Sequence, residues 1–478
     1  MRKPLYIVYS VMIIFIFSLC SKDKGLSNYG DYPNEIGKII NFKCATSGCH
    51  NDLSYPAANG LNLSSWNNLF KGANSGSPVI PYNSKFSTLC NYINTYPELG
   101  IIDKPTMPLA PPFLSKDEVT TIKNWIDAGA PDVNGFVKWS DNPNRKKIYV
   151  TNQGCDVVSV FDSETMLPMR YIQVGNNSGI EVPHMVRVSP DGQFWYVIFV
   201  NNNIMQKYRC SDDVLVGTAS LGANFDWNTF IISDDGKKAY CVAWNSNGHI
   251  ASVDLTNMKL ITNYGGYVFP HGVALNGTND TLYVTAQSGN FLYKLDTGFV
   301  NTYSMSLDGN LPSTTSSLDP HEIILSPDKS TFYITCQKVN QLYIMNIITW
   351  SLVNVIPMGA YPQEMVISPT NKKIYISCMY DSLSFPGSYG SIYVMDMLFY
   401  AVNKINVGFM PHGIGLDESK NLLYVASRNL LTNGPAPHHT GVCAGRNGYI
   451  NYVNTQTLMV DKKRTEISID PFSIGVRK

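Results

Sequence analysis

A short strand pattern that begins with tyrosine recurs seven times along most of the chain. The copies begin at Tyr149, Tyr196, Tyr240, Tyr283, Tyr333, Tyr375 and Tyr424, with spacings of 47, 44, 43, 50, 42 and 49 residues. A period of this length, filled with short β-branched strands, is typical of propeller blades and not of helical solenoids. Turn sequences such as Ser189-Pro-Asp-Gly precede several copies, where a hairpin needs them. The repeats therefore predict an all-β propeller of seven four-stranded blades.

A repeated proline predicts how this ring closes. Thirteen residues before five of the tyrosines, where the innermost strand of a blade would begin, stand Pro183, Pro270, Pro320, Pro362 and Pro411. The first tyrosine lacks such a proline, but Pro471-Phe472 near the C terminus matches Pro411-His412. We expect the C-terminal strand to complete the first blade from the inside, so that the ring has no open edge.

These repeats resemble the YVTN family of β-propellers over roughly residues 135–478. The resemblance implies a propeller for this part of the chain. It does not by itself assign a function, because one propeller fold carries many chemistries.

The N-terminal part carries a different signal, Cys44 and Cys49 followed directly by His50. Two thiols can add across the vinyl groups of a porphyrin, and the adjacent histidine is then held against the iron. The usual attachment motif has two residues between its cysteines, whereas this one has four, a spacing also found in some c-type cytochromes. A Cys44–Cys49 disulfide or a small zinc site are the alternatives, although zinc prefers four protein ligands and this segment offers three.

Met107 is the candidate for the second iron ligand. Residues 31–134 contain no other methionine and no histidine besides His50, and prolines at 105 and 108 place Met107 on an extended loop. Ligation by His and Met favours electron transfer over oxygen chemistry. A core methionine beside an open sixth position of the iron is the alternative.

Two helices are predicted around these residues. Ile36 and Ile40 lie at helical spacing before the motif, and Ser115 with Glu118 forms a capping box that begins a later helix. The segments KCATSGCHN, NLSSWNNLFKG and MPLAPPFLSKDEVTTIKNWIDAGAP resemble the cytochrome c domain of planctomycete and Bacteroidota secreted proteins, over roughly residues 31–134. That resemblance implies a small all-α domain carrying one covalent haem c ahead of the propeller.

The first twenty residues predict export. Two basic residues precede an apolar run from Leu5 to Leu19, which suits a secretory signal better than a membrane span. We therefore interpret 1–20 as a signal peptide and 21–30 as a linker. This agrees with the haem, because haem c is attached on the periplasmic side in bacteria.

Cys20 closes the apolar run and is a candidate for lipid attachment. The preceding Phe17-Ser18-Leu19 is a poor match to the small residue expected before a lipidated cysteine, so simple cleavage nearby is the alternative. Ser21 after Cys20 would favour passage to the outer membrane. The expected location is the periplasm or the outer membrane, with membrane attachment through Cys20 if it is lipidated.

Charge and cysteine usage restrict the partners. The chain has 36 basic and 36 acidic residues, so it offers no basic footprint for nucleic acid. Seven further cysteines are scattered singly, a pattern that indicates buried thiols and no disulfide framework. They are Cys90, Cys155, Cys210, Cys241, Cys336, Cys378 and Cys443.

Four histidines recur at one position of the predicted ring. One residue of each blade directly follows the inner-strand proline, or occupies the same position where the proline is missing. Around the ring these residues are Phe472, His184, Asn228, His271, His321, Gln363 and His412. Imidazole suits copper, zinc, iron and nickel, so a second metal or cofactor at the mouth is one hypothesis. The preferred interpretation is structural, because blade duplication copies a histidine without selection for a ligand. His438, His439 and Cys443, in a long insertion of the last blade, could add ligands.

Two functions follow from these observations. The favoured one is an exported c-type cytochrome that transfers electrons to a redox partner protein, with the propeller as a partner- or ligand-binding module. The alternative is a periplasmic oxidoreductase whose second metal or cofactor at the propeller mouth is fed by the haem. Dissimilatory nitrite reductases combine a haem c domain with an eight-bladed propeller, and the ring predicted here departs from them in blade number.

Overall fold

The computed structural model describes residues 29–176, 179–222, 226–381 and 389–478. The predicted signal peptide and Cys20 lie outside the described residues. Within them, the N-terminal segment contains helices α1 (Asn34–Lys43), α2 (Trp66–Leu69), α3 (Thr88–Ile93) and α4 (Lys116–Asp127). Among these residues, no helix combines the length and apolar character needed to cross a membrane.

The helices α1 and α4 form where the sequence predicts them. The Ser115 hydroxyl accepts from the backbone N–H of Glu118, whose carboxylate accepts from the N–H of Ser115, so the first turn of α4 is capped. Val119 on the apolar face of α4 and Ile40 of α1 are buried in one hydrophobic cluster. An ion pair between Lys43 and Glu118, 2.6 Å long, joins the end of α1 to the start of α4.

The helical segment shares its core with the propeller. The cluster that contains α1 and α4 continues through the buried Trp139 to Tyr149 and Trp195 in the first two blades. Phe86 also stacks on Tyr171 with ring centroids 4.5 Å apart. The helices are therefore observed as part of a continuous hydrophobic core, and a separate small all-α domain is not established by the fold.

The rest of the described chain forms seven antiparallel sheets of four strands. Blade 1 begins with β1 (Lys147–Asn152), β2 (Val157–Asp162) and β3 (Leu167–Gln173). Blade 2 contains β4 (Pro183–Val188), β5 (Phe194–Phe199), β6 (Asn202–Arg209) and β7 (Leu215–Ser220). Blade 3 contains β8 (Trp227–Ile232), β9 (Lys238–Ala243), β10 (Gly248–Asp254) and β11 (Lys259–Tyr267). Blade 4 contains β12 (Pro270–Leu275), β13 (Thr281–Ala286), β14 (Phe291–Asp296) and β15 (Thr302–Ser306).

The remaining three blades repeat the same order. Blade 5 contains β16 (Pro320–Leu325), β17 (Thr331–Cys336), β18 (Gln341–Asn346) and β19 (Ser351–Pro357). Blade 6 contains β20 (Pro362–Ser368), β21 (Lys373–Cys378), β22 (Ser391–Asp396) and β23 (Val402–Asn406). Blade 7 contains β24 (Pro411–Asp417), β25 (Leu422–Ser427), β26 (Asn447–Asn454) and β27 (Val460–Ile469). The last strand, β28 (Pro471–Val476), returns to blade 1.

The C-terminal strand closes the ring in the position that the proline spacing predicts. β28 pairs antiparallel with β1, with Tyr149 opposite Gly475 and Val150 opposite Ile474. The side chain of Arg477 then donates to the backbone carbonyls of Gly192 and Pro143, at 2.8 Å each. The two ends of the propeller are thus joined by a strand ladder and by hydrogen bonds beyond it.

The strands that contain the repeated tyrosines are called tyrosine-led strands below. Each lies second from the channel in its blade and is buried on both faces. Side chains of neighbouring blades meet in shared clusters, such as Tyr240 and Val242 of blade 3 with Val273 and Leu282 of blade 4. Burial on both faces explains the β-branched and aromatic composition of these strands, since each face packs against a neighbouring sheet.

Candidate functional site

The predicted haem-attachment residues lie at the C-terminal end of α1. Cys44 is buried at this end, and its backbone carbonyl accepts from the N–H of His50 at 3.1 Å. Cys49 is exposed, and its N–H donates to the carbonyl of Thr46. The chain therefore folds back in a short loop that carries both cysteines and the histidine to one end of the helix.

The ring of His50 is oriented by one hydrogen bond. Its Nδ1 lies 3.0 Å from the carbonyl oxygen of Leu61. Because a carbonyl can only accept, Nδ1 must carry the proton, and the lone pair of a neutral ring is then on Nε2. A backbone carbonyl that holds the distal ring nitrogen in this way is a common second partner of metal-binding histidines.

Both thiols of the motif are free. Cys44 and Cys49 do not form a disulfide, so that alternative is not observed. Burial raises the pKa of Cys44 to about 12, and the nearby Cys49 raises it further in the same direction. Cys44 thus remains protonated at neutral pH, and Cys49 is close enough to act on it.

Met107 lies in a loop that packs on the same core. Its N–H donates to the carbonyl of Tyr92 at 2.7 Å, and its side chain contacts the hydrophobic cluster that contains Cys44 and Ile40. The loop is therefore anchored to α3 through the Tyr92 carbonyl. Across the described residues, no group of three or more His, Cys, Asp or Glu side chains is arranged to hold a metal ion.

The mouth of the propeller is built by a repeated backbone feature. The residue before each inner strand has a positive φ, between 44° and 69°, an uncommon conformation for residues other than glycine. These residues are Val182, Asp226, Phe269, Asp319, Tyr361, Met410 and Asp470. The carbonyl of each accepts a backbone hydrogen bond from the residue after the tyrosine-led strand, as Gln153 donates to Asp470. The first two residues of each inner strand therefore follow the same backbone conformation in every blade.

Five of the seven side chains predicted for this ring contact one another in sequence at the mouth. The rings of His412 and His184 lie 3.7 and 4.1 Å from the ring of Phe472, one on each side. His271 and His321 lie 3.9 Å apart, and His321 is 6.1 Å from His412. The four imidazoles therefore contact one another and Phe472 in a compact aromatic group.

Burial keeps these imidazoles neutral. Desolvation lowers the pKa of His271 to about 4 and places those of His184, His321 and His412 well below the usual value. Nearby positive charge acts in the same direction on His184 and His412, because Arg428 lies over Phe472 at 4.8 Å.

The hydrogen bonds of the four imidazoles are only partly satisfied. Nδ1 of His184 accepts from the Gln153 amide at 2.7 Å, and Nδ1 of His271 donates to the carbonyl of His321 at 3.2 Å. Nδ1 of His321 is buried with no hydrogen-bond partner among the described residues, whereas a backbone hydrogen bond at Phe472 acts on the pKa of His412. The mouth thus holds a buried imidazole nitrogen, on His321, that has no hydrogen bond among the described residues.

A hydroxyl in the tyrosine-led strand links neighbouring blades beneath the mouth. In each case the hydroxyl accepts from an inner-strand N–H of its own blade and donates to the carbonyl of a mouth residue in the next blade. The donor and acceptor pairs are Thr151 with His184, Thr285 with His321, Thr335 with Gln363, and Ser377 with His412. The sequence analysis missed this role, since a threonine in a strand is already explained by β propensity.

Two carboxyl groups lie behind the mouth in adjacent blades. Burial raises the pKa of Glu322 to about 8, and the charge of Glu364 raises it as well. Burial also raises the pKa of Glu364 to about 7, while Arg187 opposes both shifts. This part of the channel can therefore hold a proton at neutral pH.

The insertion of blade 7 corrects two expectations. Cys443 forms a disulfide with Cys155 of blade 1, so these two cysteines are neither isolated thiols nor free ligands. His438 and His439 lie against the N-terminal segment, where the hydroxyl of Tyr92 is 3.2 Å from Nδ1 of His439. The insertion is thus fixed to blade 1 and to the helices, because it spans the junction between them.

Comparison with known proteins identifies the fold and no family. No protein-family model matches the sequence, and no curated protein matches it. A periplasmic gluconolactonase of Pseudomonas aeruginosa is 12% identical and aligns over 70% of this chain and 99% of that chain, with a TM-score of 0.53. A functionally unknown protein from Desulfotomaculum acetoxidans is 15% identical over 68% of this chain and 99% of that chain, with a TM-score of 0.50.

Hydrazine synthase of Kuenenia stuttgartiensis is also similar in structure. It is 16% identical and aligns over 63% of this chain and 93% of that chain, with a TM-score of 0.48. At these identities the likeness shows the propeller fold alone.

Proposed function

We propose that the protein is an exported c-type cytochrome, in which one covalent haem c transfers electrons and the propeller binds a redox partner or a ligand. The observation that carries this proposal is the set of donors at the end of α1. Cys44 and Cys49 are free thiols, and the hydrogen bond from His50 to Leu61 leaves Nε2 available for iron. Haem held in this way supplies one-electron redox chemistry.

Exposed apolar side chains near these donors support the same proposal. Phe42 and Leu53 flank the attachment loop in sequence, and Leu109 follows Met107; they are 70%, 92% and 72% exposed. Covering large exposed apolar side chains with a porphyrin is favourable, because it removes apolar surface from water. Met107, on its anchored loop, is proposed as the second iron ligand.

The remaining parts of the proposal rest on the sequence. The tyrosine repeats resemble the YVTN propellers, and the helical segment resembles a cytochrome c domain. The apolar run before Cys20 supports export to the periplasm, with attachment to the outer membrane if Cys20 is lipidated. Export and haem attachment support each other, because the attachment takes place in that compartment.

Haem attachment can be tested on protein matured in a bacterial periplasm together with the haem c attachment machinery. The wild-type chain should keep haem after denaturation and acid–acetone extraction, with one iron per chain. The double variant Cys44→Ala/Cys49→Ala should lose it, whereas Cys336→Ala/Cys378→Ala, which removes two buried propeller thiols, should retain it. Covalent haem in the first double variant would refute the assignment.

A second candidate function is an oxidoreductase with another metal or cofactor at the propeller mouth. The observation that favours it is the buried Nδ1 atom of His321, which has no hydrogen-bond partner among the described residues and lies in a group of four imidazoles. Elemental analysis of the wild type and of His321→Ala/His412→Ala separates the two functions. A second metal present only in the wild type supports this candidate, and one iron with no other metal in both proteins rejects it.

A further inference from the structure

A large cleft lies where the helical segment meets blade 7. Its volume is about 840 Å³, within the range of small-molecule sites. One wall comes from the N-terminal segment and carries Lys71 and Lys104. The other wall comes from β27 and carries Lys462, Lys463 and Arg464. Five cationic residues from two separate parts of the chain thus line one open cleft.

These cations form no salt bridge in the parts of the chain that the structure describes, although Asp461 acts on the pKa of Lys463. The amines of Lys71 and Lys104 donate to neutral oxygens, the Asn68 amide and the Thr106 hydroxyl, at 2.7 and 2.8 Å. The guanidinium of Arg464 lies 4.6 Å from the ring of Tyr449. None of the ion pairs found among the described residues includes any of the five.

The single carboxylate that lines the cleft serves another purpose. Glu466 is 9% exposed and accepts from the backbone N–H groups of His438 and His439 at 2.7 and 3.1 Å. It also accepts from the Asn447 amide at 2.8 Å. Its oxygens are therefore used to hold the blade 7 insertion, and the cationic side chains are left to attract an anion.

The neutral lining adds hydrogen-bonding groups. Asn59, Asn74 and Ser75 lie on the same wall as Lys71. Amides and hydroxyls of this kind can bind the oxygen atoms of a polar ligand between two charged walls. Because the chain as a whole has no net charge, the excess of positive charge is a local property of this cleft.

We propose that this cleft binds a small-molecule polyanion, a ligand with at least two carboxylate or phosphate groups that spans the two cationic walls. A single-charge anion can satisfy one wall only, whereas a ligand with two or more negative groups contacts both. The proposal goes beyond the haem function and does not depend on it. Binding can therefore be measured whether or not the haem is attached.

The test is calorimetric titration of the full chain with citrate and with inorganic pyrophosphate at low salt. Both probes should bind, and added salt should weaken them because it screens the charges. Acetate should bind far more weakly, since it bears one charge. Failure of both polyanions to bind, or acetate binding as tight as that of citrate, would overturn the proposal.

Variants assign the binding to the cleft. Lys462→Gln/Lys463→Gln should weaken both probes about tenfold or more, each tenfold step being about 1.4 kcal/mol. Lys372→Gln/Lys373→Gln is the matched control, because it is an adjacent lysine pair of the same exposure on blade 6. An equal loss in the control would mean that general surface charge is responsible, and would reject the cleft.

Lys104→Gln provides a second variant on the opposite wall. It should also weaken citrate and pyrophosphate, with the thermal midpoint of unfolding unchanged, because Lys104 is exposed. This variant decides the matter if the β27 double variant does not fold. Unchanged affinity in Lys104→Gln would contradict a ligand that spans both walls.

Discussion

At the scale of single residues, the orientation of one ring determines what the helical segment can bind. The carbonyl of Leu61 requires a proton on Nδ1 of His50, so the ring presents Nε2 to a ligand. A histidine with the proton on Nε2 would present a donor there and could not bind iron through that nitrogen. The hydrogen bond, and not the mere presence of histidine, therefore makes this residue suitable as the proximal ligand.

Met107→Ala tests the second iron ligand. Haem should remain attached, because the cysteines are unchanged, while the reduction potential should fall, since a thioether ligand raises it. A potentiometric titration and the weak sulfur-to-iron absorption band of the oxidised protein measure both effects. Met459→Ala is the control, because Met459 is exposed on blade 7. An unchanged band and potential in Met107→Ala would show that Met107 is not a ligand.

The mouth histidines predict a pH dependence of stability. Burial lowers the pKa of His271 in the folded chain to about 4, below its usual value of 6.5. Below pH 6.5 the imidazole of the unfolded chain binds a proton, whereas the buried imidazole of the folded chain stays neutral until about pH 4. The free energy of unfolding should therefore fall between pH 6.5 and 4. Urea unfolding across this range should show a decline that is smaller in His271→Ala/His412→Ala. The same decline in both proteins would assign it to other groups.

The same positions show what the sequence can predict about a site. A proline thirteen residues before five of the tyrosines marks the register, so the convergence of His184, His271 and His412 follows from counting residues. Blade 3 has Trp227 in place of the proline, and the same count still locates Asn228. The partners of the imidazole nitrogens do not follow from counting, because Gln153 reaches His184 from a different blade.

At the scale of elements, neighbouring blades are joined by hydroxyls as well as by apolar packing. Each hydroxyl replaces a missing backbone partner at an irregular point of the inner strand, as the register shift between Pro320 and Ile323 shows. The N–H of Glu322 falls in that irregularity and donates to Thr335 at 3.0 Å. At four of the seven blade junctions, neighbouring inner strands are therefore linked without strand pairing between blades.

Thr335→Val tests this connection. Valine keeps the shape but leaves the N–H of Glu322 and the carbonyl of Gln363 without their partner, so the free energy of unfolding should fall by about 1–3 kcal/mol. Chemical denaturation measures the change. Thr218→Val, at an exposed position of β7, should change it by less than about 0.5 kcal/mol. Equal effects of the two substitutions would mean that the hydroxyl link contributes nothing.

At the scale of the whole molecule, stability depends on the last strand. Deletion of residues 471–478 removes the ladder between β28 and β1 and exposes the buried Ile148 and Val150 of β1. The midpoint of thermal unfolding should fall steeply or the cooperative transition should disappear, whereas deletion of Lys478 alone should have little effect. Calorimetry of both truncated chains measures this. Equal midpoints for the wild type and the longer deletion would show that the ring closes without β28.

The disulfide could not be predicted from the sequence, because it depends on how the whole ring closes. Cys155 and Cys443 are separated by 288 residues, and they meet only because ring closure places blade 7 beside blade 1. Cysteine spacing carries no information about such a pair. Blade number and strand order, in contrast, follow from a local repeat that every blade carries.

The bond between Cys155 and Cys443 turns most of the propeller into a covalent macrocycle. A single peptide cut at any point between these residues would open the backbone but would not separate its two pieces. They would migrate as one molecule without reductant and as two fragments with it. A protease that enters any loop of the five intervening blades would therefore nick this protein without releasing a blade.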